Sequence, residues 1–117
     1  MSGTTSYHAG VAAEECVARH YGRLGRPVLE RRWRGKGGEI DLIAQDGEDT
    51  VFVEVKRSGT HGAAALRILD RQVARLFSCA GEYMGTLPGG MLSPVRFDVA
   101  LVDATGRVEV IENALGA

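Results

Sequence analysis

The chain has 117 residues, 44% hydrophobic and 25% charged, the make-up of one soluble globular domain with room for a single core. Its net charge of −1 excludes a uniformly basic nucleic-acid binder, and no apolar run nears the roughly 18 residues that a membrane helix needs. Without a signal-peptide pattern at its start, and with Cys16 and Cys79 in predicted helices and in no metal-like spacing, it is expected to be a reduced cytoplasmic domain over 1–117, flexible over about residues 1–7.

Residues 8 to 24 read as a helix. At about 100° per residue, Val11, Val17, Ala18, Tyr21 and Leu24 share one apolar face. Glu14 falls near the middle of that face, where a carboxylate is costly unless paired or bound to metal. Gly25 and Pro27 then break the chain before a strand over Val28 to Trp33. Around this strand lie Arg19, Arg23, Arg26, Arg31, Arg32, Arg34 and Lys36, seven bases against Glu30 alone. The local excess is either a solvated face or a set of phosphate contacts. Trp33 reads equally as a stacking residue or as strand core. Gly35-Lys36-Gly37-Gly38 is a basic loop where backbone can approach a ligand closely.

Two strands follow, Gly38-Glu39-Ile40-Asp41-Leu42-Ile43 and Val51-Phe52-Val53-Glu54-Val55-Lys56, flanking the turn cluster Asp46-Gly47-Glu48-Asp49. Strand alternation puts Glu39, Asp41 and Ile43 on one face, and Phe52, Glu54 and Lys56 on one face. A turn centred between Gly47 and Glu48 sets Asp41 opposite Glu54, with Cβ atoms roughly 5 Å apart. A turn centred on Asp46-Gly47 sets Asp41 opposite Phe52 instead. In the first register two carboxylates repel unless a cation bridges them, and Mg²⁺ suits such a pair. The competing reading is a set of exposed charges on a solvated sheet face.

Beyond Lys56, Arg57 opens a loop through Gly62 that could touch substrate. A helix over about 67 to 84 carries Leu69, Val73, Leu76, Phe77, Ala80 and Met84 as an apolar stripe, with Arg67, Arg71 and Arg75 along one edge. A Gly/Pro-rich loop over 85–94 precedes strands at Arg96 to Val102 and Arg107 to Ile111, joined by the turn Asp103 to Gly106. His8, His20 and His61 form no zinc pattern.

These blocks, with Gly10-x-x-x-Glu14, Arg71-Gln72-x-x-x-Leu76, Arg96-Phe97-Asp98-Val99 and Ile111-Glu112-Asn113-Ala114, resemble the PD-(D/E)xK nuclease superfamily. More closely the chain resembles the bacterial YraN-like family, related to archaeal Holliday-junction resolvases, over nearly its whole length. The resemblance implies a restriction-endonuclease-like α/β fold, a three-layer core with a central mixed β-sheet flanked by helices. It implies Asp41, Glu54 and Glu14 as ligands of Mg²⁺ or Mn²⁺, Lys56 as the residue that activates water and stabilises phosphate charge, and Gln72 as support. The stretch between Lys56 and Gln72 is shorter than the family's, and Arg71 stands where the family has Lys. The function expected is metal-dependent hydrolysis of phosphodiester bonds in DNA, duplex or branched, with Arg31, Arg32, Arg34, Lys36, Arg57, Arg71 and Arg75 as nucleic-acid contacts. A domain this small would grip DNA best as a homodimer. The alternative is a nucleic-acid-binding module of the same fold without turnover.

Overall fold

The computed structural model describes residues 2–57 and 70–115. Helix α1 (Ser2–Arg23) is followed by β1 (Val28–Gly35), β2 (Gly38–Asp46) and β3 (Asp49–Arg57). Helix α2 (Asp70–Met84), a 3-10 turn at Gly90–Leu92, β4 (Val95–Val102) and β5 (Val108–Ile111) complete the chain. The strands form one sheet in the order β1-β2-β3-β4-β5, antiparallel except for the parallel pair β3–β4. No tight turn can join a parallel pair, so the chain crosses from β3 to β4 through α2.

One helix covers each face. Ala13, Val17, Ala18 and Tyr21 of α1 pack on Leu42, Ala44, Val51, Val53, Ala100 and Val102. Leu76, Cys79, Ala80, Tyr83 and Met84 of α2 pack on Ile40, Ile43 and Phe52. The result is a three-layer α/β domain with a mixed sheet at its centre. Among the described residues no helix is long and apolar enough to cross a membrane.

The β2–β3 hairpin adopts the register Leu42↔Val53, Ile43↔Phe52, Ala44↔Val51. Its two-residue turn is Gly47-Glu48, and Gly47 takes φ 60°, a conformation glycine adopts without steric cost. Val51 and Val53 accordingly face α1 while Phe52 faces α2, as strand alternation predicts.

Several local expectations are corrected. Helix α1 starts at Ser2 rather than near residue 8, because the polar opening residues carry no apolar period. Leu24 leaves the helical face and is 53% exposed, since α1 ends at Arg23. The buried stripe of α2 includes Cys79 and Tyr83, which are fully or nearly buried, while Phe77 lies half outside against Phe97. Trp33 belongs to the core, edge-on to Tyr83 at 5.3 Å between ring centres. Arg67, Leu69, the loop from 58 to 62 with His61, and the side chain of Arg71 lie outside the described residues.

Among the described residues the most deeply buried charge is Asp98 in β4. Its carboxylate accepts hydrogen bonds from the Tyr21 hydroxyl (2.7 Å), Arg96 Nε (2.9 Å), Arg96 Nη2 (3.2 Å) and the Asn113 backbone N–H (2.9 Å). Arg96 also reaches Asp46 at 2.8 Å, and Arg26 bridges Asp46 (3.2 Å) and Glu112 (2.8 Å). Burial and the Asp98 carboxylate push the Tyr21 hydroxyl well above its ordinary range. Among the described residues no buried side-chain N or O lacks a partner.

Removing that carboxylate leaves Arg96 Nε, the Tyr21 hydroxyl and the Asn113 N–H without their buried acceptor, and Arg96 with only its half-exposed partners Asp46 and Asp49. Asp98→Ala is expected to cost about 3–5 kcal/mol, and Tyr21→Phe about 1 kcal/mol. Urea unfolding of both variants beside the wild type measures the difference; equal midpoints would remove Asp98 from its structural role.

Candidate metal centre

The site forms where β2 leaves β3. The β2–β3 ladder stops at Leu42↔Val53, one step before Asp41 would meet Glu54. There the Asp41 carboxylate itself takes the next ladder donor: Val55 N–H gives its hydrogen bond to Asp41 Oδ2 at 2.8 Å. On the other side, the β1–β2 pairing passes from Arg31↔Leu42 to Trp33↔Ile40 without an Arg32–Asp41 pair. Arg32 sits at φ 51°, an uncommon backbone for a residue with a side chain. Strand β2 changes face at this point, since Ile40 joins the α2 core and Leu42 the α1 core although they are two residues apart. The simple alternation that grouped Glu39, Asp41 and Ile43 is therefore interrupted, and Asp41 lies at the fork between two strands.

The fork opens into a cavity of about 600 Å³ lined by Arg34, Gly35, Lys36, Gly37, Gly38, Glu39, Asp41, Glu54 and Arg75. Both predicted carboxylates, Asp41 and Glu54, line it together. Lys56 stands two residues along β3, with its ammonium 3.5 Å from Glu54 Oε2. Burial, then the charge of Glu54, push the Asp41 carboxyl up to about 7; the Val55 N–H opposes this, and Glu14 and Glu39 add smaller pushes in the same direction. An acid so disfavoured as an anion is a site where positive charge is missing.

Other predicted residues are placed differently. Glu14 stands on α1, close enough for its charge to act on Asp41, and its Oε1 accepts from Arg32 Nε at 2.8 Å. Among the described residues no group of three or more His, Cys, Asp or Glu side chains is arranged to hold a metal ion, so the centre rests on two carboxylates. Gln72 is half-buried on α2, one helical turn before Arg75. Arg57 is exposed at the end of β3.

The basic run reads differently once folded. Arg31 pairs with Glu15, Arg32 with Glu14, Arg34 with Glu39 (3.1 Å), and Arg26 with Asp46 and Glu112. Acids from α1, β2 and the segment after β5 answer most of the local excess. Residues that sequence reasoning passed over are Glu39, which lines the cavity, and Glu82 of α2, whose Oε1 accepts from the Lys36 and Gly37 backbone N–H groups at 2.8 and 3.3 Å. Glu39 was visible beside Asp41 in the motif; Glu82 had no local signal.

The model of the uncharacterised protein family UPF0102 matches residues 13–102. The chain belongs to UPF0102. The UPF0102 span holds Glu14, Asp41, Glu54, Lys56 and Gln72. The chain is 59% identical to a UPF0102 protein of Cereibacter sphaeroides strain KD131 over 117 residues, all of both chains. It is 53% identical to a UPF0102 protein of Ruegeria pomeroyi over 114 residues, 97% of this chain and 93% of that one. A UPF0102 protein of Dinoroseobacter shibae is 40% identical over 111 residues, 95% of this chain and 83% of that one.

The raised Asp41 carboxyl has a measurable consequence in metal-free buffer. The folded chain keeps a proton that the unfolded chain releases near pH 4, so stability is lost as pH rises from there to about 7. Asp41→Asn, which preserves the acceptor for Val55, should melt higher than wild type above pH 7, with the gain shrinking toward pH 4. Thermal melts across that range in EDTA check it; a gain independent of pH would show that the Asp41 carboxyl is not raised.

Proposed function

We propose that this chain is a metal-dependent endonuclease that hydrolyses phosphodiester bonds in DNA, with branched or junction DNA the class that the resemblance to PD-(D/E)xK resolvases favours. The observation that carries the reading is the pair Asp41 and Glu54 at one cavity, with Asp41 destabilised as an anion and Lys56 beside Glu54. The donor set suits a hard divalent cation, which takes oxygen ligands and needs only one or two carboxylates when phosphate and water complete its shell.

Asp41 and Glu54 would hold Mg²⁺ or Mn²⁺, and a metal ion there supplies polarisation of the phosphate and a bound water of lowered pKa. Each remaining role falls to the chain's own groups. Asp41 would be one of the two carboxylates at the cation, and the Val55 N–H fixes the orientation of its carboxylate. Lys56 presents an ammonium where negative charge grows on the phosphate oxygens. Glu14 acts on Asp41 through its charge and is held by Arg32; Gln72 supports the site from α2. Basic side chains of the β1–β2 turn and of α2 contact the DNA backbone.

The test is cleavage of a labelled panel of single-stranded, duplex, flap and four-way-junction DNA with Mg²⁺ or Mn²⁺. Wild type should cut at least one member, and Asp41→Ala, Glu54→Ala and Lys56→Ala should each lose at least about 100-fold in rate. If nothing is cut and all proteins bind the panel equally, the chain is instead a binding module of this fold.

A further inference from the structure

The β1–β2 hairpin is seated on one edge of α2. A Cβ on Gly35 would lie 2.5 Å from Glu82 Oε1, one on Gly37 3.0 Å from Ser78 Oγ, and one on Gly38 2.6 Å from Arg75 Cδ. Arg75, Ser78 and Glu82 recur at helical spacing, so a single ridge of α2 runs along the turn. Glu82 Oε1 accepts both turn amides, Lys36 and Gly37. Those amides, which an anion could otherwise use, are occupied. Whatever the turn offers a ligand must come from the Lys36 side chain.

The cavity's bases are not equivalent. Arg34 is paired with Glu39. Lys36 and Arg75, which also line the cavity, make no ion pair among the described residues. The Arg75 stem lies against Gly38, and Arg75 is exposed where it lines the cavity. Two cations from different parts of the chain, neither in an ion pair among the described residues, thus line the cavity that holds Asp41 and Glu54.

We propose that Lys36 and Arg75 are a two-cation clamp for a backbone phosphate of the nucleic-acid strand entering this cavity, and that Glu82 is the positioning residue that sets the clamp by fixing the Lys36-Gly37 turn. The proposal rests on the nuclease reading for its ligand class. It assigns the phosphate contact to the hairpin–α2 seam rather than to the Arg31–Arg32 run, whose charges are met by Glu15 and Glu14.

The experiment is the salt dependence of binding, read by fluorescence anisotropy of labelled duplex and four-way-junction DNA in EDTA, where turnover does not intervene. Each lost phosphate contact lowers the slope of log affinity against log salt by about 0.9. Lys36→Gln and Arg75→Gln, which keep the stems, should each lower it by about that amount and together by about twice as much. Arg107→Gln, at an exposed site on the β4–β5 turn, should leave it unchanged. Glu82→Ala should mimic a clamp variant, and Glu82→Gln, which retains the acceptor oxygen, should restore the wild-type slope. Thermal melts establish that each variant is folded. Unchanged slopes in Lys36→Gln and Arg75→Gln, or no DNA binding by wild type, overturn the clamp. Failure of Glu82→Gln to restore the slope overturns the positioning role. Lowered slopes in a protein that cuts nothing with Mn²⁺ uphold the clamp while removing the nuclease reading.

Discussion

The buried carboxylate of Asp98 is the constraint around which the domain is arranged. A charge removed from water is tolerated only when its lone pairs are met, and the donors come from three places: Tyr21 on α1, Arg96 on β4 itself, and the backbone of Asn113 after β5. Arg96 and Arg26 extend the network to Asp46 at the far end of β2. Helix α1 therefore cannot dock in an arbitrary register against the sheet. The same docking carries Glu14 toward Asp41, so the network that seats α1 also bears on the electrostatics of the fork, which begins one step along the sheet from Asp98.

At the fork, a regular strand pair would have used the Val55 N–H in a backbone ladder. Here a side chain takes it, and the freed backbone lets β2 diverge. Charge economy follows the same division. The chain is nearly neutral overall, and most arginines near β1 face a nearby acid. At the cavity, acids crowd around Asp41 in the interior, and Lys36 and Arg75 stand on the rim without an ion pair among the described residues. Such a dipolar mouth suits an anionic ligand whose approach is guided by the rim and whose binding centre needs an added cation.

Much of this was legible in the sequence. The alternating valines of β3 and the Asp-Gly-Glu-Asp turn carry the hairpin register, because side-chain period and turn chemistry are local properties. The change of face between Ile40 and Leu42 was not legible, since it falls beside a positive φ at Arg32 that no glycine or asparagine announces. Charge counting along β1 misled for a related reason: the acids that meet Arg31 and Arg32 sit on α1, distant in sequence and adjacent only after folding. Glu82 escaped notice because a single acid on a helix carries no pattern until a turn is laid against it. The apolar period of α2 holds at Leu76, Ala80 and Met84, while Cys79 and Tyr83 join that core and Phe77 stays half exposed.

The strand order also has a kinetic side. Strands β1, β2 and β3 form a meander joined by two-residue turns, and their contacts close only short loops. The parallel pair β3–β4 must bring together segments separated by the whole of α2, at a larger cost in chain entropy. Local contacts form faster than distant ones, so the meander can assemble the Asp41–Glu54 fork before the C-terminal strands arrive. The Asp98 network needs α1, β4 and the segment after β5 together, so the contact that seats α1 closes only when the C-terminal strands join the meander.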